Sequence, residues 1–484
     1  MTGPSTMTAA TRRLPMIEVL RGVLGDAGVI FDGASMARYL TDWSGDHKGR
    51  ALAILRPAST AEVRDAVKIC GQSGLTIVPQ GGNTGLVAAS MSTDADHTAV
   101  ISLERMNRIR QLDAENFTIR VDAGCTLQQV KDACEVADLL FPLALGAQGS
   151  CQIGGNVATN AGGVNVLCYG MMRDIILGLE VVMPDGELWN GFSGLRKDNR
   201  GYDLKQLFIG SEGTLGIITG VELKLFPKPS KVETVYVGVA SFEDAMRLFR
   251  DTRRACSDLL TAFEVIGEEC VSLARLVHPE LAVPIAAPVH VLMEASCSGA
   301  IDLRRLLENV LAEAMEDGLV TGAFLAESVA QARCFWAIRE GLVEGQARRG
   351  YHVRTDLSVP LSGVPALIER ARGIVASKYP GWTSIAYGHA GDGNVHFNVL
   401  PPQDMGEPAA RAIGVSIETD LYGLVTTAGG SISAEHGIGR SRKDVFWSLL
   451  PPIHKRMLKA VKSAFDPDGL MNPGCLFPEE KELA

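Results

Sequence analysis

Apolar residues in the first half of the chain fall in short runs closed by glycine, proline or polar clusters, and the runs read as strands. Ala51 to Leu55 is one, broken by Arg56-Pro57. Ser59 or Thr60 then caps a helix that carries Glu62 in its first turn and runs to about Cys70. Leu75 to Val78 forms the next strand and ends in a loop, Pro79 to Gly85, so the unit reads strand–helix–strand. Further strands are expected at Ala99 to Leu103 and Thr118 to Val121, and an amphipathic helix at Leu127 to Val136. Leu177 to Met183 and Leu188-Trp189 flank a Pro184-Asp185-Gly186 turn. Gly216 to Phe226 alternates as a strand that Pro227 and Pro229 should stop.

That proline pair marks the expected boundary between two domains. Beyond it the pattern predicts strands at Glu233 to Val239 and Val289 to Met293. Helices are predicted at Glu243 to Cys256, Leu303 to Glu316, Gln331 to Arg348 and Ile453 to Phe465. The chain therefore reads as α+β throughout. The expected division is an N-terminal helical segment (1–48), a first domain (49–228), a second (229–440) and a C-terminal segment (441–484).

Composition narrows the partners. The 484 residues are 46% hydrophobic and carry a net charge of -10, a balance that suits a soluble protein and repels nucleic acid. The 10 cysteines form no CxxC pair, which fits a reducing, cytoplasmic compartment. The first 17 residues lack acids and include Arg12 and Arg13, a weak organelle-targeting pattern that keeps a mitochondrial location open for a eukaryotic source. The plainer reading of that stretch is a frayed terminus. No apolar run is long enough to span a membrane.

Glycine is concentrated where a ligand would lie. The loop Pro79, Gln80, Gly81, Gly82, Asn83, Thr84, Gly85, Leu86 follows a strand and can turn successive N–H groups into one anion-binding concavity. It is neither a Walker loop nor GxGxxG. Residues 146–163 are small and uncharged, with Gly146, Gly149, Ser150, Gly154, Gly155, Asn156, Ala158, Thr159 and Gly162 among them. A backbone pressed against a planar, phosphate-bearing ligand explains that better than a solvated loop does. A third small-residue turn, Gly210 to Ile218, enters a strand.

The segment His389 to His396 carries the metal-like chemistry. If Asp392-Gly393 is a two-residue turn, His389 lies opposite His396, about 5 Å away on one face. Glu435, in Ser433 to Gly439, offers a third ligand, and two His with one carboxylate suit a catalytic divalent ion. The chain has 9 histidines, and His389, His396 and His436 all fall in these two segments.

Together these residues resemble a known family. The strings PQGGNTGLV (79–87), GSCQIGGNVATNAGG (149–163), LRKDNRGYDLKQLFIGSEGTLGIIT (195–219), HAGDGNVH and SAEHGIG are similar to the FAD-dependent D-2-hydroxyacid dehydrogenases of the vanillyl-alcohol oxidase/PCMH superfamily. Within it the likeness is to the branch that oxidises D-2-hydroxyglutarate, and it covers roughly residues 40 to 478. The resemblance implies a two-subdomain PCMH-type FAD-binding domain, an α+β substrate (cap) domain, and a C-terminal segment that returns to the FAD domain. It implies that residues 79–86 cradle the FAD pyrophosphate. Residues 146–163, Glu212, Gly213, Gly216, Ile217, Ile218 and Asn472 would line the rest of the cofactor. His389, His396 and Glu435 would hold zinc, or manganese, and His436 would be the catalytic base. Arg339, Asn398, Arg354 and Val343 would face the substrate.

Two positions depart from the family pattern: Val343 stands in place of a threonine, and Arg354 in place of a lysine. Valine loses a hydrogen bond, and arginine is longer and can be bidentate. D-Lactate or glycolate is therefore the alternative substrate, and a non-catalytic FAD-binding subunit the remote one. The phosphate loop has neither His nor Cys, so non-covalent FAD is expected. Without a dinucleotide fingerprint beside the FAD segments, an electron-transfer flavoprotein, a quinone or a cytochrome is the expected acceptor. The oligomeric state is left open, a homodimer among the options.

Overall fold

The computed structural model describes residues 9–43 and 45–478. The acid-free N-terminal stretch lies outside the described residues up to residue 8; a helix, Ala9–Leu24, follows.

Two β-sheets share one core in the first half. The first runs in the order Val29–Ile30, Ala53–Leu55, Thr98–Ser102, Thr76–Gln80. Its last three strands are parallel, so each crossover must cover a face, and the helix Thr60–Gln72 does so with Val63, Ala66, Val67 and Cys70 buried. Ser59 caps that helix through the N–H of Glu62. The second sheet is antiparallel, in the order Ile109–Asp113, Thr118–Asp122, Ile217–Lys224, Ile176–Val182, Leu188–Asn190. The predicted helix at Leu127 to Val136 forms with those bounds, fixed by a Thr126–Gln129 capping box.

The run Gly216 to Phe226 divides. Its main strand ends at Lys224, and Phe226–Pro227 pairs separately with Leu139–Leu140. Pro227 therefore sits in a short two-stranded ribbon, where a missing N–H costs little, instead of closing the long strand.

The second half is built on seven antiparallel strands. Their order is Val320–Leu325, Lys231–Val239, Val289–Cys297, Leu260–Gly267, Thr383–Gly388, Asn394–Leu400, Leu357–Ser358. Helices Phe242–Cys256, Leu303–Glu316 and Val364–Lys378 contribute apolar faces to the core that lies against this sheet. Hydropathy singles out neither Leu260–Gly267 nor the helices Val364–Lys378 and Glu407–Thr427.

The chain then returns to the first half. Met471 bridges Ile77 in parallel, and Leu470 and Met471 are buried in the first core. Phe465 packs edge-on against Phe208, and Nζ of Lys462 donates to the carbonyl of Thr214 at 2.7 Å. The architecture is the mixed helix-and-sheet fold, with a returning C-terminal segment, that the resemblance implies.

Candidate active site

The strands Thr383–Gly388 and Asn394–Leu400 bring two histidines together, but not by the register expected. Tyr387, not His389, lies opposite His396. Residues Ala390–Asp392 form a 3-10 turn, and Gly393 follows in the left-handed region at φ 86. The loop is thus longer than a two-residue turn, because the ladder stops before His389. A Cβ at position 393 would lie 2.3 Å from the carbonyl oxygen of Val359, so the turn requires glycine. His389 nevertheless approaches His396 with ring centroids 5.6 Å apart.

Glu435 and His436 are adjacent and would point oppositely on a regular strand. Here the chain curls around Asp356. One oxygen of that carboxylate accepts the N–H groups of Ala434, Glu435 and His436 at 3.0, 2.9 and 2.8 Å. Both side chains then face one point. Oε1 of Glu435 lies 3.7 Å from Nε2 of His389, 3.5 Å from Nε2 of His396 and 3.9 Å from Nε2 of His436.

Each imidazole has a carboxylate behind it. Nδ1 of His389 is 2.5 Å from Glu264, which also accepts from Nε of Arg339 at 2.7 Å. Nδ1 of His396 and of His436 each stand 3.7 Å from Asp356. A hydrogen-bonded carboxylate such as Glu264 orients its imidazole, while Asp356 at 3.7 Å acts on His396 and His436 by its charge. Burial pushes the Glu264 carboxyl up, but the charges of His389 and Arg339 outweigh it and bring it down to about 2. Burial takes His396 down to about 4, so its ring is neutral. Burial opposes ionisation of Glu435 as well, yet the neighbouring imidazoles bring it to about 2. Ligand atoms of Asp356, His396, Glu435 and His436 all lie within 4.8 Å of one another. The donor set of imidazole nitrogens and carboxylate oxygen suits a divalent ion of the zinc or manganese type.

His389, His396, Glu435 and His436 line a cavity of about 1170 Å³. Gly162 ties its glycine-rich wall to the histidines: a Cβ there would lie 3.4 Å from Oε2 of Glu435. Farther along, Gly81 packs on Gly155, and a Cβ at Gly82 would lie 2.0 Å from the carbonyl oxygen of Ser150. A Cβ at Gly85 or Gly146 would meet nothing within 4 Å, so these backbones face open space. A volume this large, walled by backbone next to the loop after Thr76–Gln80, fits FAD.

Of the cofactor residues expected from the resemblance, the wall takes in all but Gly149, Ser150, Ile153, Val157, Asn160 and Asn472. Ser150 instead backs Gly82. Asn472 donates its side-chain N–H to the carbonyls of Ala89 and Glu212 and so staples the returning segment. Glu212 lines the cavity but turns its carboxylate to Ile438 and Gly439.

Arg339, Val343, Arg354 and Asn398 all line the same cavity. Arg339 is buried, paired with Glu264 and stacked over Tyr387 at 4.8 Å. Arg354 reaches Asp46 at 3.2 Å, and its Nε donates to His352 at 3.1 Å. Asn398 accepts from the N–H of Thr355 and donates to Gln346 at 2.6 Å. Hydropathy and motif reading overlooked Glu264, Asp356, Tyr387, Gln346 and Lys131, of which all but Glu264 and Asp356 line the cavity. A single acid inside the otherwise apolar run Leu260–Gly267 was the one available signal for Glu264. Trp336 also lines the cavity, and its indole N–H donates to Glu294 at 3.0 Å.

Comparison with known proteins agrees with this geometry. Residues 228–476 match the family model for the C-terminal domain of FAD linked oxidases, and residues 51–191 match an FAD binding domain. The chain is similar to a mitochondrial D-2-hydroxyglutarate dehydrogenase of Bos taurus, 39% identical over 453 residues, covering 93% of this chain and 81% of that protein. A D-2-hydroxyglutarate–pyruvate transhydrogenase of Saccharomyces cerevisiae is 34% identical over 447 residues, covering 90% and 89%. Among solved structures, p-cresol methylhydroxylase superposes with a TM-score of 0.77 at 16% identity, covering 99% of each chain, which speaks for the fold. The chain belongs to the FAD-linked oxidases, in the family that includes the D-2-hydroxyglutarate dehydrogenases, and is an FAD-dependent oxidoreductase.

Proposed function

We propose that this chain oxidises a D-2-hydroxy acid to the 2-oxo acid, with D-2-hydroxyglutarate as first candidate, and that Nε2 of His436 takes the hydroxyl proton. One observation carries the reading: three imidazoles converge on Oε1 of Glu435, at 3.5 to 3.9 Å, in the wall of a cavity also lined by glycines. FAD, held non-covalently by the loop 79–86 and the glycine-rich wall of the cavity, would supply the hydride acceptor. A divalent ion (zinc or manganese), when held by His389, His396 and Glu435, supplies Lewis acidity at the hydroxyl oxygen. His436 accepts the proton at Nε2, and Asp356 behind its Nδ1 offsets the charge gained. Arg339 and Arg354 attract carboxylates into an otherwise acidic protein. Tyr387 and Trp336 present apolar surface that limits water at the reacting carbon.

A second reading, D-lactate or glycolate, is favoured by one feature: Arg354 already faces Asp46, and Val343 offers no hydrogen bond. Electrons would leave through an electron-transfer flavoprotein, a quinone or a cytochrome. No helix among the described residues is long and apolar enough to cross a membrane. The mitochondrial names of several relatives support that location over the cytoplasmic one for a eukaryotic source.

The test is anaerobic mixing of purified, metal-supplied enzyme with D-2-hydroxyglutarate and, separately, with D-lactate, following the visible flavin band. Bleaching by hydroxyglutarate supports the first reading. Bleaching by lactate alone moves the substrate to the second. No bleaching by either sinks both.

A further inference from the structure

Glu212 belongs to the flavin-side half but directs both carboxylate oxygens to the other half. Oε1 accepts the N–H of Ile438 at 2.8 Å, and Oε2 accepts that of Gly439 at 2.7 Å. The thiol of Cys475 donates to Oε2 at 3.3 Å. The residue is 6% exposed, and its own backbone is held at φ 51, in the left-handed region. A buried carboxylate satisfied by backbone donors fixes their geometry closely, because an unmade bond there leaves a buried polar group unpaired.

The turn it grips begins directly after His436. Gly437 and Gly439 have φ 84 and 56, and a Cβ at Gly437 would lie 2.7 Å from Oε1 of Glu212. Before the turn, Asp356 holds the N–H groups of residues 434 to 436. His436 is thus the last residue held by a carboxylate of the substrate-side half and the neighbour of the stretch held by one from the flavin-side half.

We propose that Glu212 is a positioning residue for His436, fixing across the junction of the two halves the turn that aims the imidazole at the substrate hydroxyl. The proposal rests on reading His436 as the base. It explains why a residue expected to touch the cofactor turns its carboxylate away: Glu212 sets the base relative to the half of the protein that holds the flavin.

A double-mutant cycle tests it, with anaerobic flavin reduction by D-2-hydroxyglutarate, or by D-lactate if that is the active substrate, and FAD affinity as readouts. In Glu212→Gln the amide N–H₂ opposes one backbone donor and pushes the turn away. We expect reduction about 100-fold slower, with FAD affinity within about 3-fold of wild type. In the His436→Ala background the same substitution causes no further slowing, since the imidazole it positioned is gone. Reduction by Glu212→Gln at the wild-type rate overturns the proposal while leaving the base reading intact. A full additional loss in the double variant also overturns it, because Glu212 then acts on fold or cofactor independently. Wild-type reduction by His436→Ala removes the base reading itself and the proposal with it. Should Glu212→Gln fail to fold, Glu212→Asp, which keeps the acceptor but shortens it, takes its place in the same cycle, and each outcome carries the same meaning.

Discussion

At the scale of single residues the site is a set of imidazoles, each backed by an acid. Replacing His436 by Ala removes the proposed proton acceptor, so anaerobic flavin reduction should slow by roughly 10²–10⁴-fold while FAD stays bound. Reduction at an unchanged rate in a stopped-flow trace would sink that role. Arg339 has a structural task as well as a place in the cavity wall. Arg339→Met strands the buried Glu264 carboxylate with His389 alone, and roughly 3–5 kcal/mol of stability should disappear in a urea titration. His352 shows how burial becomes pH dependence. Burial lowers its pKa to about 4 from 6.5. The unfolded chain takes up a proton below 6.5 and the folded chain only near 4. The stability this neutral ring contributes is therefore full above 6.5 and is lost as pH falls through that window, by roughly 3 kcal/mol across it. Unfolding midpoints of His352→Gln should be flatter than wild type over the same window; parallel curves would refute this.

At the scale of elements, glycines act in two distinguishable ways. Gly82 sits 2.0 Å, by its absent Cβ, from the backbone of Ser150, whereas Gly85 faces open cavity. Gly82→Ala must move one of two loops, so it should lower the melting temperature of the flavin-free protein. Gly85→Ala should leave that temperature unchanged and weaken FAD binding instead, because its methyl enters the space the cofactor needs. Equal effects of the two changes on both readouts would contradict this assignment. The histidine hairpin shows a related division of labour. Asp392-Gly393 is a good turn signal, and a turn forms there, but a 3-10 segment precedes Gly393 and shifts the pairing to Tyr387. Turn residues locate a reversal; loop length sets the register.

At the scale of the whole molecule, the returning C-terminal segment locks the first half. Met471 is fully buried in the core that also holds Ile77, and its strand-like bridge places it beside the phosphate-loop strand. Met471→Ala should cost roughly 2–5 kcal/mol in the unfolding of that half, read by denaturant titration, and loosen FAD with it. Much of this protein was legible in sequence. The runs around Thr76–Gln80 and Ile176–Val182, the helices Leu127–Val136 and Leu303–Glu316, the glycine-rich wall and the three clustered histidines follow from periodicity, glycine placement and residue type. Those are local properties, decided within a dozen residues. What sequence did not yield are contacts between distant segments. Glu264 lies in a stretch that hydropathy does not single out, and only folding sets it between His389 and Arg339. Asp356 reads as an ordinary loop acid until three N–H groups from residues 434 to 436 close on it. Arg354 reads as a substrate-facing cation, and only the fold brings Asp46 of the N-terminal segment to it. Sequence thus determined which chemistry the chain carries. The tertiary structure decided which groups are already engaged and where each one points, because a buried charge takes its partners from whatever the fold brings within reach.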